Sequence, residues 1–197
     1  MDRLLKAVYL SGVIAEIVIR LPHERQRRQT TMTDERVTAQ ERWVLAVLFL
    51  GMFFLPVCYS FTPWLDRADY RWSAQARARA GGAGTAILAC ALWLFWRAHE
   101  DLGRNWSPTL QVAEEHALVT DGVYRSIRHP MYASQWLWCV AQSLLLQNWI
   151  VGPTSFLFFL PLYLLRVPRE EQMMIDHFGD AYRAYMERTG RVVPRIG

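Results

Sequence analysis

MYASQWLWCVAQSLLLQNWIVGPTSFLFFLPLYLL, residues 131–165, is a run of 35 residues without a charge. As one helix rising about 1.5 Å per residue it would be roughly 50 Å long, against about 30 Å of bilayer hydrocarbon. Folded in two it fits. Helices over 131–147 and 149–166 meet at Gln147, Asn148, Gly152 and Pro153, a patch that is polar and helix-breaking but takes no charge across the membrane. The run therefore predicts a tight helical hairpin.

Outward from the hairpin, the apolar residues keep coming in blocks. Residues 43–62 are twenty without a charge and 80–96 seventeen more. The first block, 4–21, carries Lys6 and Glu16, with Lys6 near an end where its ammonium can snorkel. The expected fold is an all-α integral membrane protein, a single membrane domain over 1–197. Its five transmembrane helices are read at about 4–21, 43–62, 80–97, 131–147 and 149–166. The first block lacks a convincing small-residue cleavage site and reads as a retained span. Arginine-rich connectors fix the orientation. Of 22 Lys and Arg, 16 lie in residues 20–42, in 97–128 and from 166 onward, on one side of a five-span topology. Arg3, Lys6, Arg67, Arg71, Arg77 and Arg79 lie on the other. The positive-inside rule places the N-terminus outside and the C-terminus in the cytoplasm.

The net charge of +4 is then a topology signal and an attraction to anionic lipid; without a basic stripe interleaved with exposed aromatics, no nucleic-acid partner is expected. Cys58, Cys90 and Cys139 lie inside the spans without a CxxC pair and read as small apolar fillers. Gly81, Gly82 and Gly84 have no preceding strand and read as a close-packing feature, not a dinucleotide loop.

Two polar stretches flank the hairpin on the cytoplasmic side. The first, 99–130, is broken by Gly103, Pro108 and Gly122 and reads as loop and short turns, a long irregular segment of the kind that carries function. Within it His116 to Val119 is suited to presenting main-chain groups to a flat polar ligand. Pro130 sits at a plausible first helical position, where its missing N–H costs nothing. The second stretch places Ile175, Phe178, Tyr182, Tyr185 and Met186 at steps of three and four, an amphipathic C-terminal helix over 169–189. Glu170 and Glu171 fit its first turn, and Arg166 fits an interfacial anchor. Arg166 and Glu170 are four apart, so they share a face if the helix runs through Pro168.

GVYRSIRHPMY at 122–132, the uncharged hairpin, RVPREE at 166–171 and HFGDAYRAY at 177–185 together resemble the isoprenylcysteine carboxyl methyltransferase family, over roughly residues 99–195. The resemblance implies a membrane enzyme that methylates a prenylated cysteine carboxylate with S-adenosylmethionine and releases S-adenosylhomocysteine. It implies that Gln111, the His116, Ala117, Leu118 and Val119 backbone, Tyr124, His129, Pro130, Met131 and Tyr132 enclose the cofactor. Glu170 would contact the cofactor from the other side, and Arg166 would hold the substrate carboxylate, these two being the catalytic pair. Gln172 stands where many members have a third glutamate, and Ser134 where a glycine often follows the HPxY motif. Lipid and a lipophilic acceptor are the implied partners. No metal and no obligate protein partner are expected.

A terminal carboxylate is ionised at neutral pH, so methylating its oxygen needs alignment and not a general base. Phospholipid methyltransferases and nicotinamide-dependent sterol reductases carry related RHPxY versions, but the reductases usually have many more spans. A noncatalytic lipid-binding scaffold leaves the combination of RHPMY, Arg166 and Glu170 unexplained.

Overall fold

The computed structural model describes residues 2–27, 38–107 and 117–195, with 32–35 and 111–113 as backbone. Among these residues lie seven α-helices: α1 (Asp2–Arg27), α2 (Ala39–Phe49), α3 (Leu55–Phe61), α4 (Ala74–Leu102), α5 (Pro130–Leu146), α6 (Val151–Phe178) and α7 (Asp180–Arg188). A π-helical turn over Leu50–Phe54 joins α2 to α3 in one rod. Pro56, just beyond it, has no N–H for the Met52 carbonyl four residues earlier. The Tyr9 hydroxyl of α1 donates to that carbonyl instead, at 2.5 Å.

Besides its helices the all-α fold carries one small ribbon. Strands β1 (Met32–Glu35) and β2 (Gln111–Ala113) pair antiparallel, so the segment expected to be irregular contains a strand. Pairing two connectors satisfies backbone groups that neither could satisfy alone.

Among the described residues, Arg42–Phe61, Ala74–Asn105 and Val151–Phe178 are long and apolar enough to cross a membrane, three where five spans were expected. The 17-residue α5 is about 26 Å long, a little under the hydrocarbon thickness. In α1 the charges of Lys6, Glu16 and Arg20 dilute the apolar content. Leu157, Leu160 and Leu164 of α6, Ile14, Ile17 and Val18 of α1 and Trp93 of α4 are all exposed. Apolar side chains pointing outward along long helices make the surface of an integral membrane protein.

The hairpin between α5 and α6 is tight. Gln147 caps α5 in the left-handed region at φ 50°, and Asn148 Oδ1 accepts the N–H groups of Ile150 and Val151, both at 3.0 Å, to start α6. Asn148 Nδ2 donates to Leu65 O and Asp69 Oδ1, each at 2.8 Å, and Gln147 Nε2 donates to Arg77 O at 2.9 Å. The polar turn is satisfied by the 62–73 connector and the start of α4. Gly81 and Gly84 permit close contacts along α4, since a Cβ would lie 2.7 Å from Leu5 at the first and 2.9 Å from Leu144 at the second. The core gathers where α1, α4, α5 and α6 meet, around Tyr9, Leu88, Trp138, Leu145 and Phe159.

The amphipathic helix expected over 169–189 is two elements. Residues up to Phe178 continue α6, and Gly179, at φ 57°, breaks the chain before α7. Helix α6 has 28 residues, about 42 Å, so its last turns project beyond a 30 Å hydrocarbon layer.

Candidate active site

Helix α5 starts where the chain's tail crosses it. Ile127 and Gly190 form a parallel bridge, and the N–H groups of Arg128 and His129 donate to Gly190 O and Arg191 O, both at 2.9 Å. Pro130 takes the helix start, as expected. Beneath this crossing lies Glu171, 4 % exposed. Its Oε1 accepts from Arg128 Nε at 2.7 Å and Arg191 Nε at 3.1 Å, with His129 Nε2 at 3.3 Å. Its Oε2 accepts from Arg191 Nη2 at 2.6 Å. The carboxylate raises the pKa of the Arg191 guanidinium, against a smaller opposing effect of burial.

Helix α6 runs unbroken through Pro161 and Pro168. Arg166 and Glu170 therefore do share a face, with Arg166 Nε 3.9 Å from Glu170 Oε2. The Tyr132 hydroxyl donates to the same oxygen at 2.8 Å, and His129 Nδ1 stands 3.8 Å from Glu170 Oε1. Adjacent glutamates thus face different ways: Glu170 toward Tyr132 and Arg166, Glu171 toward the tail.

The segment between α4 and α5 is pinned by several side chains, of which sequence reading passed over Asp101 and Asn105. Asp101, paired with Arg97 at 2.6 Å, accepts the Val123 N–H at 2.8 Å. Gly122 sits at φ 58°, where a Cβ would also strike the Asp101 carboxylate, so this position requires glycine. Asn105 Oδ1 accepts the Ala117 N–H at 3.0 Å. Tyr124 donates to Ala98 O at 3.3 Å, and its own carbonyl accepts from Tyr185 Oη at 2.7 Å. Burial pushes the Tyr185 phenol up to about 12, so it stays a neutral donor.

These elements enclose one cavity of about 410 Å³. Of the residues singled out from sequence, Ala117, Leu118, Val119, Tyr124, His129, Pro130, Met131, Tyr132, Arg166 and Glu170 all line it. His116 lies outside the described residues, and Gln111 is described only as backbone, in β2. Leu45, Leu48, Met52, Phe159 and Leu162 give the cavity an apolar wall. Asn105, Trp106, Arg128 and Gln135 also reach it, as do Glu16 and Arg20 from α1. Of these, Arg128 belongs to the RHPMY motif read from the sequence, and Glu16 carried a signal as a carboxylate inside an apolar block.

With the geometry in place, the comparison with known families is specific. The family model that matches is that of the isoprenylcysteine carboxyl methyltransferases. The match spans residues 83–176, from α4 into the end of α6. A protein-S-isoprenylcysteine O-methyltransferase of Schizosaccharomyces pombe is 34 % identical over 86 residues, 42 % of this chain and 35 % of the relative. Protein-S-isoprenylcysteine O-methyltransferase A of Arabidopsis thaliana is 32 % identical over 96 residues, 48 % of this chain and 49 % of the relative. The chain matches about a third to a half of the length of these curated relatives. The solved structure of a eukaryotic intramembrane Ras methyltransferase, isoprenylcysteine carboxyl methyltransferase, superposes with a TM-score of 0.52 at 21 % identity. That superposition covers 82 % of this chain and 55 % of the other, and establishes a shared fold.

Proposed function

We propose that this chain is an S-adenosylmethionine-dependent methyltransferase that esterifies the carboxylate of a lipophilic acceptor, a prenylated cysteine or an analogue of one, at the cytoplasmic membrane boundary. The observation that carries the reading is the mixed lining of the cavity. Arg166, Glu170 and Tyr132 meet at it, and the apolar Leu45, Leu48, Met52, Phe159 and Leu162 line it as well. A water-soluble methyl donor and an oily acceptor need such a meeting place.

The residues present fit the cofactor. The Glu170 carboxylate complements a sulfonium cation, the Ala117 to Val119 backbone and the Trp106 and Tyr132 rings suit a nucleoside, and about 410 Å³ suits a small-molecule site. Glu170, Tyr124 and the 129–132 turn would hold it, together with Gln111 and His116. Bound there, S-adenosylmethionine supplies an electrophilic methyl group and leaves as S-adenosylhomocysteine. The chain's part is orientation. Arg166 pairs its guanidinium with the acceptor carboxylate and fixes the attacking oxygen, and alignment of this kind is worth about 7–11 kcal/mol in well-oriented systems. No side chain is required to take a proton, because the acceptor is already ionised.

The supporting topology has five membrane helices, with α1 and α5 joining the three long apolar ones, the N-terminus outside and the C-terminus in the cytoplasm. The excess of Lys and Arg on the α7 side supports this orientation. The test is methyl transfer by the purified chain in detergent from isotopically labelled S-adenosylmethionine to N-acetyl-S-farnesyl-cysteine, read as a base-labile methyl ester. Calorimetry should show binding of S-adenosylhomocysteine and none of a nicotinamide cofactor. Binding of neither refutes the proposal.

A further inference from the structure

Arg20 has no part in the chemistry above, yet it lines the cavity from α1. Its guanidinium lies over the Phe95 and Trp106 rings, 5.5 and 5.9 Å from their centroids. Both rings are buried, so the core fixes this platform, while Arg20 itself is exposed. Trp106 follows Asn105, whose side chain accepts the Ala117 N–H at 3.0 Å, which puts Arg20 beside the connector assigned to the cofactor. Toward the reaction centre the wall is short. Glu16, one turn back on α1, accepts from Gln135 of α5 at 2.9 Å, and Gln135 is one turn from Tyr132, the donor to Glu170.

Among the described residues no hydrogen bond or ion pair takes up the Arg20 guanidinium. Glu16 does not claim it, since one oxygen of that carboxylate is held by Gln135 and the other has no partner. Two further arginines line the cavity and are already engaged: Arg128 donates to Glu171 and to Thr189 O, and Arg166 lies beside Glu170. An arginine that only anchors a helix end extends toward the headgroups, whereas this one lies over aromatic rings in the lining of the cavity. Stacking on rings uses the face of the guanidinium and leaves its in-plane N–H fork open, the geometry that pairs with a carboxylate. S-adenosylmethionine carries such a group, ionised at neutral pH, and no residue assigned to the cofactor above bears a permanent positive charge. We infer that Arg20 binds the carboxylate at the methionine end of the cofactor. The inference rests on the proposed methyl transfer and adds α1, outside the matched span 83–176, to the cofactor site. It also divides two carboxylates between two arginines: Arg20 takes the donor's and Arg166 the acceptor's, so the cofactor does not occupy the acceptor's clamp.

The test is calorimetry in detergent with S-adenosylhomocysteine and with S-adenosyl-3-thiopropylamine, the same molecule without its carboxylate. The parent protein should bind the first more tightly by about tenfold or more, the usual size of a hydrogen bond to a charged group. Arg20→Met, which keeps an apolar stem over the rings, should weaken S-adenosylhomocysteine binding by that factor and leave the thiopropylamine within about twofold, bringing the ratio near one. Unchanged affinity for the thiopropylamine also shows that the variant is folded. Arg20→Lys, which keeps the charge without the fork, should fall between the two. A parent that binds both compounds equally, or an Arg20→Met variant that loses both equally or neither, overturns the inference while leaving the methyl transfer standing. So does a variant whose only defect is a raised KM for N-acetyl-S-farnesyl-cysteine, because Arg20 would then serve the acceptor's carboxylate. If the parent binds neither compound, the proposed reaction falls and this inference falls with it.

Discussion

Replacing Glu171 with glutamine isolates the contribution of the crossing between the tail and α5. The substitution keeps volume and one acceptor oxygen but removes the charge shared by Arg128, His129 and Arg191. The three partners do not count equally. The Arg128 side chain is 9 % exposed and the Glu171 side chain 5 %, whereas that of Arg191 is 46 % exposed. Breaking a buried pair by neutralising one partner costs about 3–5 kcal/mol, while a half-exposed pair contributes about 0–1 kcal/mol. Glutamine recovers part of the hydrogen bonding, so the expected loss is about 3 kcal/mol, nearly all through Arg128. At about 2–4 °C per kcal/mol for a chain of this size, the midpoint of thermal unfolding in detergent should fall by about 6–12 °C. Arg191→Ala, measured alongside, should cost about 1 kcal/mol or less. The reasoning is refuted if Glu171→Gln unfolds within about 2 °C of the parent, or if Arg191→Ala is as damaging as Glu171→Gln.

Three further outcomes are expected. Arg166→Ala should lower kcat/KM for methyl transfer by about a hundredfold or more while leaving S-adenosylhomocysteine affinity within about tenfold, because it is assigned to the acceptor; equal loss of both would contradict that assignment. Glu170→Ala should weaken S-adenosylmethionine binding by about tenfold in calorimetry, since the carboxylate that complements the sulfonium is lost, and full affinity would remove Glu170 from the cofactor's surroundings. Tyr185 titrates near pH 10 when unfolded and at about 12 when folded, so its share of stability is complete below pH 10 and is lost as pH rises through 12. Tyr185→Phe should flatten the fall of the unfolding midpoint across that window, and an unchanged slope would show that Tyr185 is not held as a neutral donor.

The hairpin was legible because the signal is length without charge, and such a run has one solution in a bilayer. The neighbourhood of Arg166 and Glu170 was legible for a different reason: four residues on a continuous helix return to the same face, whatever the rest of the fold does. Its one uncertainty was Pro168, and α6 passes through it unbroken. The C-terminal amphipathic pattern was read as one helix because Ile175, Phe178 and Tyr182 keep their spacing across Gly179. Periodicity does not register a residue in the left-handed region, and there the chain turns. The short ribbon of β1 and β2 was missed because a three- or four-residue strand exists only through its partner, which lies far away in sequence.

The amino-acid sequence by itself determined that the chain packs long apolar helices around a folded-back pair, and that a basic and acidic constellation stands at the end of that pair. Local rules carry this information, since helix rise, hydrocarbon thickness and the spacing of charges need no knowledge of distant contacts. Spacing and resemblance singled out Glu170 with Arg166, and only the tertiary structure decided where the adjacent Glu171 goes. Neighbours on a helix point about 100° apart, and the rotation of α6 that turns Glu170 inward and Glu171 toward the tail is set by packing against α5. Only the tertiary structure, too, joined Glu16 to Gln135 across 119 residues, because an approach between helices that distant in the chain follows from the whole bundle and leaves no trace in either segment alone.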